Sequence, residues 1–245
     1  MISKATTKFI KSLQLKKYRK LERLFVVEGE KSVLEALNSD FKVRQVLGTE
    51  RFLKGHESLL CRVEHAEVTG KVLASLGSFM TNNAALAIVE MKENRFKKFP
   101  PGYSLALDGI NDPGNLGTII RIADWYGIKQ VVASRETADF YNPKVIAATK
   151  GSFSRVNIYY TSLENFLPTV DLPIYGAFMT GENVHNIQFQ PSGILLMGSE
   201  ANGISGQVEQ NVGHKITIPK YGQAESLNVA MATAVLCDNI TRKVN

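Results

Sequence analysis

Ser104 to Ile128 read SLALDGINDPGNLGTIIRIADWYGI, and the reading of this stretch decides the fold. Its first seven residues are apolar almost throughout and of strand length, the pattern of a strand buried on both faces. Asn111-Asp112-Pro113-Gly114-Asn115 then makes a turn, with Pro and Gly breaking the strand and Asn115 placed to cap the next helix. Leu116, Ile119, Ile120, Ala123 and Tyr126 recur at helical spacing. The alternation continues with strands QVVAS (130–134), VNIYY (156–160), PIYGAF (173–178), ILLMGSE (194–200) and KITIPK (215–220). Helices are expected at NPKVIAATKG (142–151), at SLENFLPT (162–169) and, for four to five turns, at SLNVAMATAVLCDNITRKV (226–244). Apolar strands separated by helices predict an α/β domain with a parallel sheet covered on both faces. In such sheets ligands bind at the C-terminal strand ends, which points to the loops after Ile110, Gly198 and Pro219.

Toward the N-terminus the pattern breaks at KENRFKKFPPG (92–102), polar, basic and closed by Pro100, Pro101 and Gly102. The expected organisation is a first domain over 1–95, a linker over 96–103 and a second domain over 104–245. The first domain reads as a strand at Leu24–Val27, a helix at Glu30–Leu37, strands at KVRQVLGT and RVEHAEVT, a helix at GKVLASLGS and a strand at Ala85–Met91. That is a small α/β sandwich.

Charge is distributed unevenly. Residues 1–24 hold eight bases and one acid, while the other residues hold 21 bases against 22 acids, so the whole excess of +6 lies in the first tenth of the chain. A basic arm on a near-neutral body suggests a polyanionic partner, and a solvated helix face is the plain alternative. The start has no signal-type apolar core, no run of 18 apolar residues predicts a membrane span, and the chain is expected to be cytoplasmic. Its basic, acid-free first residues would also suit a presequence, but they are read as part of the fold. Cys61 and Cys237 stand far apart in apolar settings and read as two buried thiols. The four histidines lack zinc-ligand spacing, and no metal site is expected. Fingerprints for dinucleotide binding, for a P-loop and for a serine nucleophile elbow are all missing.

Three glycine-bearing loops carry the candidate chemistry. In the first, Asn115 and Arg121 stand six residues apart and so on different faces of one helix. The second, Gly198-Ser199-Glu200-Ala201-Asn202-Gly203, sets an acid directly after a buried strand with glycines that permit close backbone approach to a ligand. The third runs from Ile218 to Asn228, where either Ser226 or Asn228 suits the cap of the last helix.

Taken together, NDPGNLGTIIR, LLMGSEANGIS and IPKYGQAESLNVA resemble, in order and in position after strands, the three motifs of the SpoU/TrmH family of RNA 2′-O-ribose methyltransferases, in the SPOUT superfamily. LFVVEGEKSVLEAL resembles the substrate-binding domain that precedes the catalytic domain in members acting on ribosomal RNA. The resemblance implies S-adenosylmethionine as methyl donor, a C-terminal trefoil knot and an obligate homodimer; no metal is expected, because a sulfonium already makes the leaving group good. It places Asn115, Arg121, Glu200, Ser226 and Asn228 at catalytic and substrate-orienting positions, with Asn115 and Glu200 orienting Arg121. Met197, Gly198, Ile218, Pro219 and Leu227 fall where the donor is held. Lys16, Lys17, Arg19, Lys20 and Arg23 of the arm, with the linker bases Lys92, Arg95, Lys97 and Lys98, are expected to contact RNA phosphates. Ala201, Lys220 and Met231 depart from residues common in the family without removing a polar position. The resulting expectation is 2′-O-methylation of ribosomal RNA. Transfer RNA methylation, a non-catalytic RNA-binding member of the fold and a nucleotide-cofactor α/β enzyme are the alternatives.

Overall fold

A computed structural model describes residues 2–244, which group into two units: the chain as far as Glu93 with Asp139–Ser154, and Asn94–Ala138 with the chain from Arg155 on. The first unit contains α1 (Lys4–Ser12), α2 (Lys16–Glu22), β1 (Leu24–Glu28), α3 (Glu30–Leu37), β2 (Val43–Gly48), α4 (Glu50–Gly55), α5 (Glu57–Leu60), β3 (Glu64–Glu67), α6 (Gly70–Leu76) and β4 (Ala85–Glu90). The strands form one mixed sheet in the order β1-β4-β2-β3, with β4 antiparallel to both neighbours and β3 parallel to β2. The wholly apolar ALAIV of β4 takes an inner, buried place, as its composition demands. The short helices α4 and α5 are additions to the elements expected from the sequence.

The basic arm is helical and belongs to this core. Ser3 caps α1 through its hydroxyl, which accepts from the Thr6 N–H, and Ile10 and Leu13 pack against Val26, Leu47 and Leu86 of the sheet. Lys16, Lys17, Lys20 and Arg23 point to solvent. Arg19 does not: it is 2% exposed. Its guanidinium donates to the carbonyls of Leu13 at 3.0 Å and Gln14 at 2.7 Å, and to Asp139 Oδ2 at 2.6 Å. The expectation that Arg19 meets RNA is therefore corrected, because its donors hold the α1–α2 turn and neutralise a half-buried carboxylate. Lys92 is also engaged, paired with Asp40 and lying over the Phe41 ring.

The second unit contains β5 (Tyr103–Asp108), α7 (Pro113–Trp125) and β6 (Gln130–Ser134). The chain then makes α8 (Pro143–Thr149), which lies in the segment grouped with the first unit, and returns as β7 (Asn157–Thr161), α9 (Leu163–Phe166), β8 (Ile174–Asn183), β9 (Gly193–Gly198), α10 (Gly206–Glu209), β10 (His214–Thr217) and α11 (Val229–Val244). In the first unit α8 lies against β1, and Phe25 meets the rings of Tyr141 and Phe153. The six strands of the second unit run parallel in the order β10-β8-β9-β5-β6-β7, as the unbroken apolar runs predict. From β5 the chain steps outward through β6 and β7, then returns to the far side as β8 and fills the gap with β9. The direction of winding thus reverses between β5 and β9, the position where open α/β sheets bind ligands. In α7, Leu116, Ile119, Ile120 and Ala123 are fully buried, while Arg121 faces out. Among the described residues no helix is long and apolar enough to cross a membrane.

Candidate active site

At the switch point Asp108 of β5 is registered against Gly198 of β9. Gly198 has no room for a side chain: a Cβ there would lie 2.1 Å from the Gly203 carbonyl carbon and 2.2 Å from the Ile204 nitrogen. The chain folds back on itself here. Ser199 N–H donates to Gly203 O at 3.0 Å and Gly203 N–H to Ser199 O at 2.9 Å, with Gly203 at φ +65° closing the turn. Asp108, a buried carboxylate at the end of an apolar strand, accepts from the Ser205 N–H at 2.8 Å and ties down the far end of this loop. Asp108 is not among the residues singled out from the sequence, although an acid ending a fully buried strand needs a partner and is a usable signal.

The closed loop presents Glu200 to two asparagines from the other two motifs. Asn115 Nδ2 donates to Glu200 Oε1 at 3.0 Å and Asn228 Nδ2 to the same oxygen at 2.7 Å, while Asn228 Nδ2 also reaches Asn115 Oδ1 at 3.0 Å. Helix capping fixes the orientation of the Asn228 amide. Its Oδ1 accepts from the N–H groups of Ala230 at 3.0 Å and Met231 at 3.3 Å, so its NH₂ must face Glu200. Asn228, and not Ser226, is thus the cap of α11. In α7 the cap is Asp112, whose Oδ1 accepts from the Asn115 N–H at 2.7 Å. This corrects the capping role expected of Asn115 and leaves its side-chain amide free for Glu200.

Arg121 stands apart from the three. It lies about 9 Å farther along the axis of α7 than Asn115, is exposed, and makes no hydrogen bond or ion pair among the described residues. Glu200 and Asn115 orient Asn228 rather than Arg121, so the expected bracing of Arg121 is also corrected. Ser226 is exposed, lines the cavity described below and makes no hydrogen bond among the described residues.

A cavity of about 650 Å³ opens beside the loop, and Met197, Gly198, Ile218, Pro219 and Leu227 all line it, as do Glu200 and Ser226. Its floor is apolar, with Ile204, Ile216 and Leu236 each nearly inaccessible, and its mouth is polar. A pocket of this size with an apolar floor and a few convergent polar groups suits a nucleoside-sized ligand.

The wider comparisons agree with this geometry. Residues 102–238 match the model of the SpoU rRNA Methylase family and residues 4–87 that of the MRM3-like substrate binding domain. The Bacillus subtilis 23S rRNA (guanosine(2553)-2'-O)-methyltransferase RlmP is 30% identical over 230 residues, covering 92% of each chain. Among solved structures, one from Porphyromonas gingivalis assigned to the TrmH family is 34% identical with a TM-score of 0.87 and covers 99% of both chains. An AdoMet-bound rRNA methyltransferase from Sinorhizobium meliloti is 26% identical with a TM-score of 0.87, covering 100% of this chain and 97% of its own. With one family model spanning the switch-point sheet and its three loops, and a relative matched along nearly the whole length, this chain belongs to the SpoU rRNA Methylase family.

Proposed function

We propose that the protein transfers the methyl group of S-adenosylmethionine to a ribose 2′-oxygen of ribosomal RNA. The observation that carries this reading is the Asn115–Glu200–Asn228 network, which joins one residue from each of three motifs through Glu200, itself a lining residue of a nucleoside-sized cavity. The cavity fits the donor. Met197, Gly198, Ile218, Pro219 and Leu227 would hold it, and the missing Cβ of Gly198 lets the Gly203–Ile204 backbone close against the end of β9 and shape this wall of the cavity. When bound, the donor would supply an electrophilic methyl group on a sulfonium sulfur, which would leave as the neutral thioether of S-adenosylhomocysteine as the oxygen–carbon bond forms.

The residues of the chain supply alignment. Glu200 holds Asn115 and Asn228 in one pose, and with Ser226 they position the ribose. Arg121, free and exposed, clamps the neighbouring phosphate in a fork and polarises the 2′-hydroxyl, while its guanidinium stays protonated throughout. The hydroxyl proton leaves to phosphate or water. Holding two reactants in a near-attack pose supplies about 7–11 kcal/mol of the barrier reduction. Lys16, Lys17, Lys20 and Arg23 meet RNA phosphates, and binding weakens steeply with salt.

The reading extends to a cytoplasmic homodimer with the family's trefoil knot and to the domain division 1–95, 96–103 and 104–245. The exposed Trp125, Met231 and Val235 on α7 and α11, 83%, 64% and 36% accessible, support a second copy covering these helices. Ribosomal RNA is favoured over transfer RNA because the matched methylase family and the relative's name both specify rRNA. The test is methyl transfer from labelled donor to unmodified ribosomal RNA and to transfer RNA in parallel. Label on ribosomal RNA supports the reading. Label on transfer RNA alone favours the alternative substrate, and donor binding without transfer to either favours a non-catalytic RNA-binding role.

A further inference from the structure

The cavity rim holds two residues that the reaction as described does not use. Lys220 and Tyr221, exposed residues shortly after β10, line the cavity along with Glu200 and Ser226. Tyr221 is 92% exposed. Other tyrosines of the chain are used within the fold: Tyr103, Tyr141 and Tyr160 each bond through the hydroxyl, and Tyr175 is buried. The neighbouring Gly222 is also uncrowded, since a Cβ there would meet nothing within 4 Å. The Lys220 ammonium is exposed and makes no ion pair among the described residues.

We infer that Lys220 and Tyr221 form a nucleotide subsite, in which the ring stacks on an unpaired base of the acceptor RNA and the ammonium meets an adjacent phosphate. The inference rests on the reading of this cavity as an RNA methyltransferase site. Aromatic rings open to solvent are the usual platforms for unstacked bases, and a neighbouring cation adds the backbone contact. The donor is a poorer occupant for the ring, because the enclosed walls of the cavity are Ile204, Ile216 and Leu236, while Tyr221 faces out. A second copy of the chain is also a poorer match: interface cores are depleted in lysine, and the uncharged apolar residues lie on α7 and α11.

The test compares wild type, Tyr221→Ala, Tyr221→Phe and Lys220→Ala. It measures methyl transfer to an unmodified ribosomal RNA fragment, S-adenosylhomocysteine binding by calorimetry, and mass by sedimentation. Tyr221→Ala should lower kcat/KM for RNA by about 5- to 150-fold, the range expected for one lost base stack, with Phe restoring it. Affinity for S-adenosylhomocysteine and mass should not change. Lys220→Ala should raise the KM for RNA and flatten its salt dependence. Wild-type efficiency in Tyr221→Ala overturns the inference. So does a loss confined to S-adenosylhomocysteine affinity, or dissociation of an oligomer, since these assign the ring to the donor site or to an interface. A wild-type protein that methylates no RNA instead overturns the reading of the site, and the subsite with it.

Discussion

Replacing Glu200 separates alignment from folding at this site. Glu200 Oε1 accepts two side-chain hydrogen bonds, at 3.0 Å from Asn115 and 2.7 Å from Asn228, and a long third contact at 3.4 Å from the Val229 N–H. The carboxylate is exposed, so each good bond contributes only about 0.5–1 kcal/mol net, the lower part of the usual range. Removing both in Glu200→Ala costs the aligned pose about 1–2 kcal/mol, or about 5- to 30-fold in kcat. Global stability should hardly move, because Asn228 still caps α11 through its Oδ1. Glu200→Gln keeps a neutral acceptor for the same donors and should fall between wild type and Ala. The double variant Asn115→Ala/Glu200→Ala should lose less than the sum of the two single losses, since both singles remove the Asn115–Glu200 bond, while Asn115→Ala also removes the acceptor for Asn228. The assay is kcat at saturating donor and RNA, with urea unfolding in parallel. Wild-type kcat in Glu200→Ala would refute the reasoning, as would fully additive losses in the double variant.

Four further outcomes are expected. Gly198→Ala forces the Ser199–Gly203 turn to open and should cost about 1–3 kcal/mol by overpacking alone, read as a lower urea midpoint together with weaker S-adenosylhomocysteine binding. Arg19→Ala leaves Asp139 without its partner in a half-buried site and should destabilise by about 3 kcal/mol in urea unfolding. Reversing the charges of Lys16, Lys17 and Lys20 should instead raise the KM for RNA with donor affinity and stability unchanged. Cys237 is buried and its thiol is pushed up to about 12 by that burial, whereas Cys61 is exposed. A thiol reagent at neutral pH should therefore modify one cysteine in the native protein and both after denaturation; two fast-reacting thiols in the native state would contradict the packing.

Much of this is legible in the sequence because parallel strands buried on both faces announce themselves as unbroken apolar runs, and their C-terminal loops name the site. The limits have physical causes. In NDPGN both Asp112 and Asn115 are good capping residues, and only the three-residue reach of Asp112 Oδ1 to the Asn115 N–H decides between them. In ESLN the same ambiguity between Ser226 and Asn228 is resolved by the start of α11. Arg19 sits in a run of bases that all look alike until the turn of α2 carries one of them inward. Cys61, expected to be buried, is exposed after the short helix α5, whose few residues give no periodic signal. The helix NPKVIAATKG is amphipathic whichever sheet it covers, so nothing in its pattern shows that α8 lies against β1.

The central claim is that this cavity and its three-loop network deliver a methyl group to a ribose hydroxyl. The most direct measurement is the chemical identity of the product after incubating the protein with labelled S-adenosylmethionine and unmodified ribosomal RNA, beside Arg121→Ala. The account predicts label in an alkali-stable 2′-O-methylated dinucleotide, lost in Arg121→Ala while S-adenosylhomocysteine binding persists. Label released by alkali with the mononucleotides, on a base rather than a ribose, would contradict it.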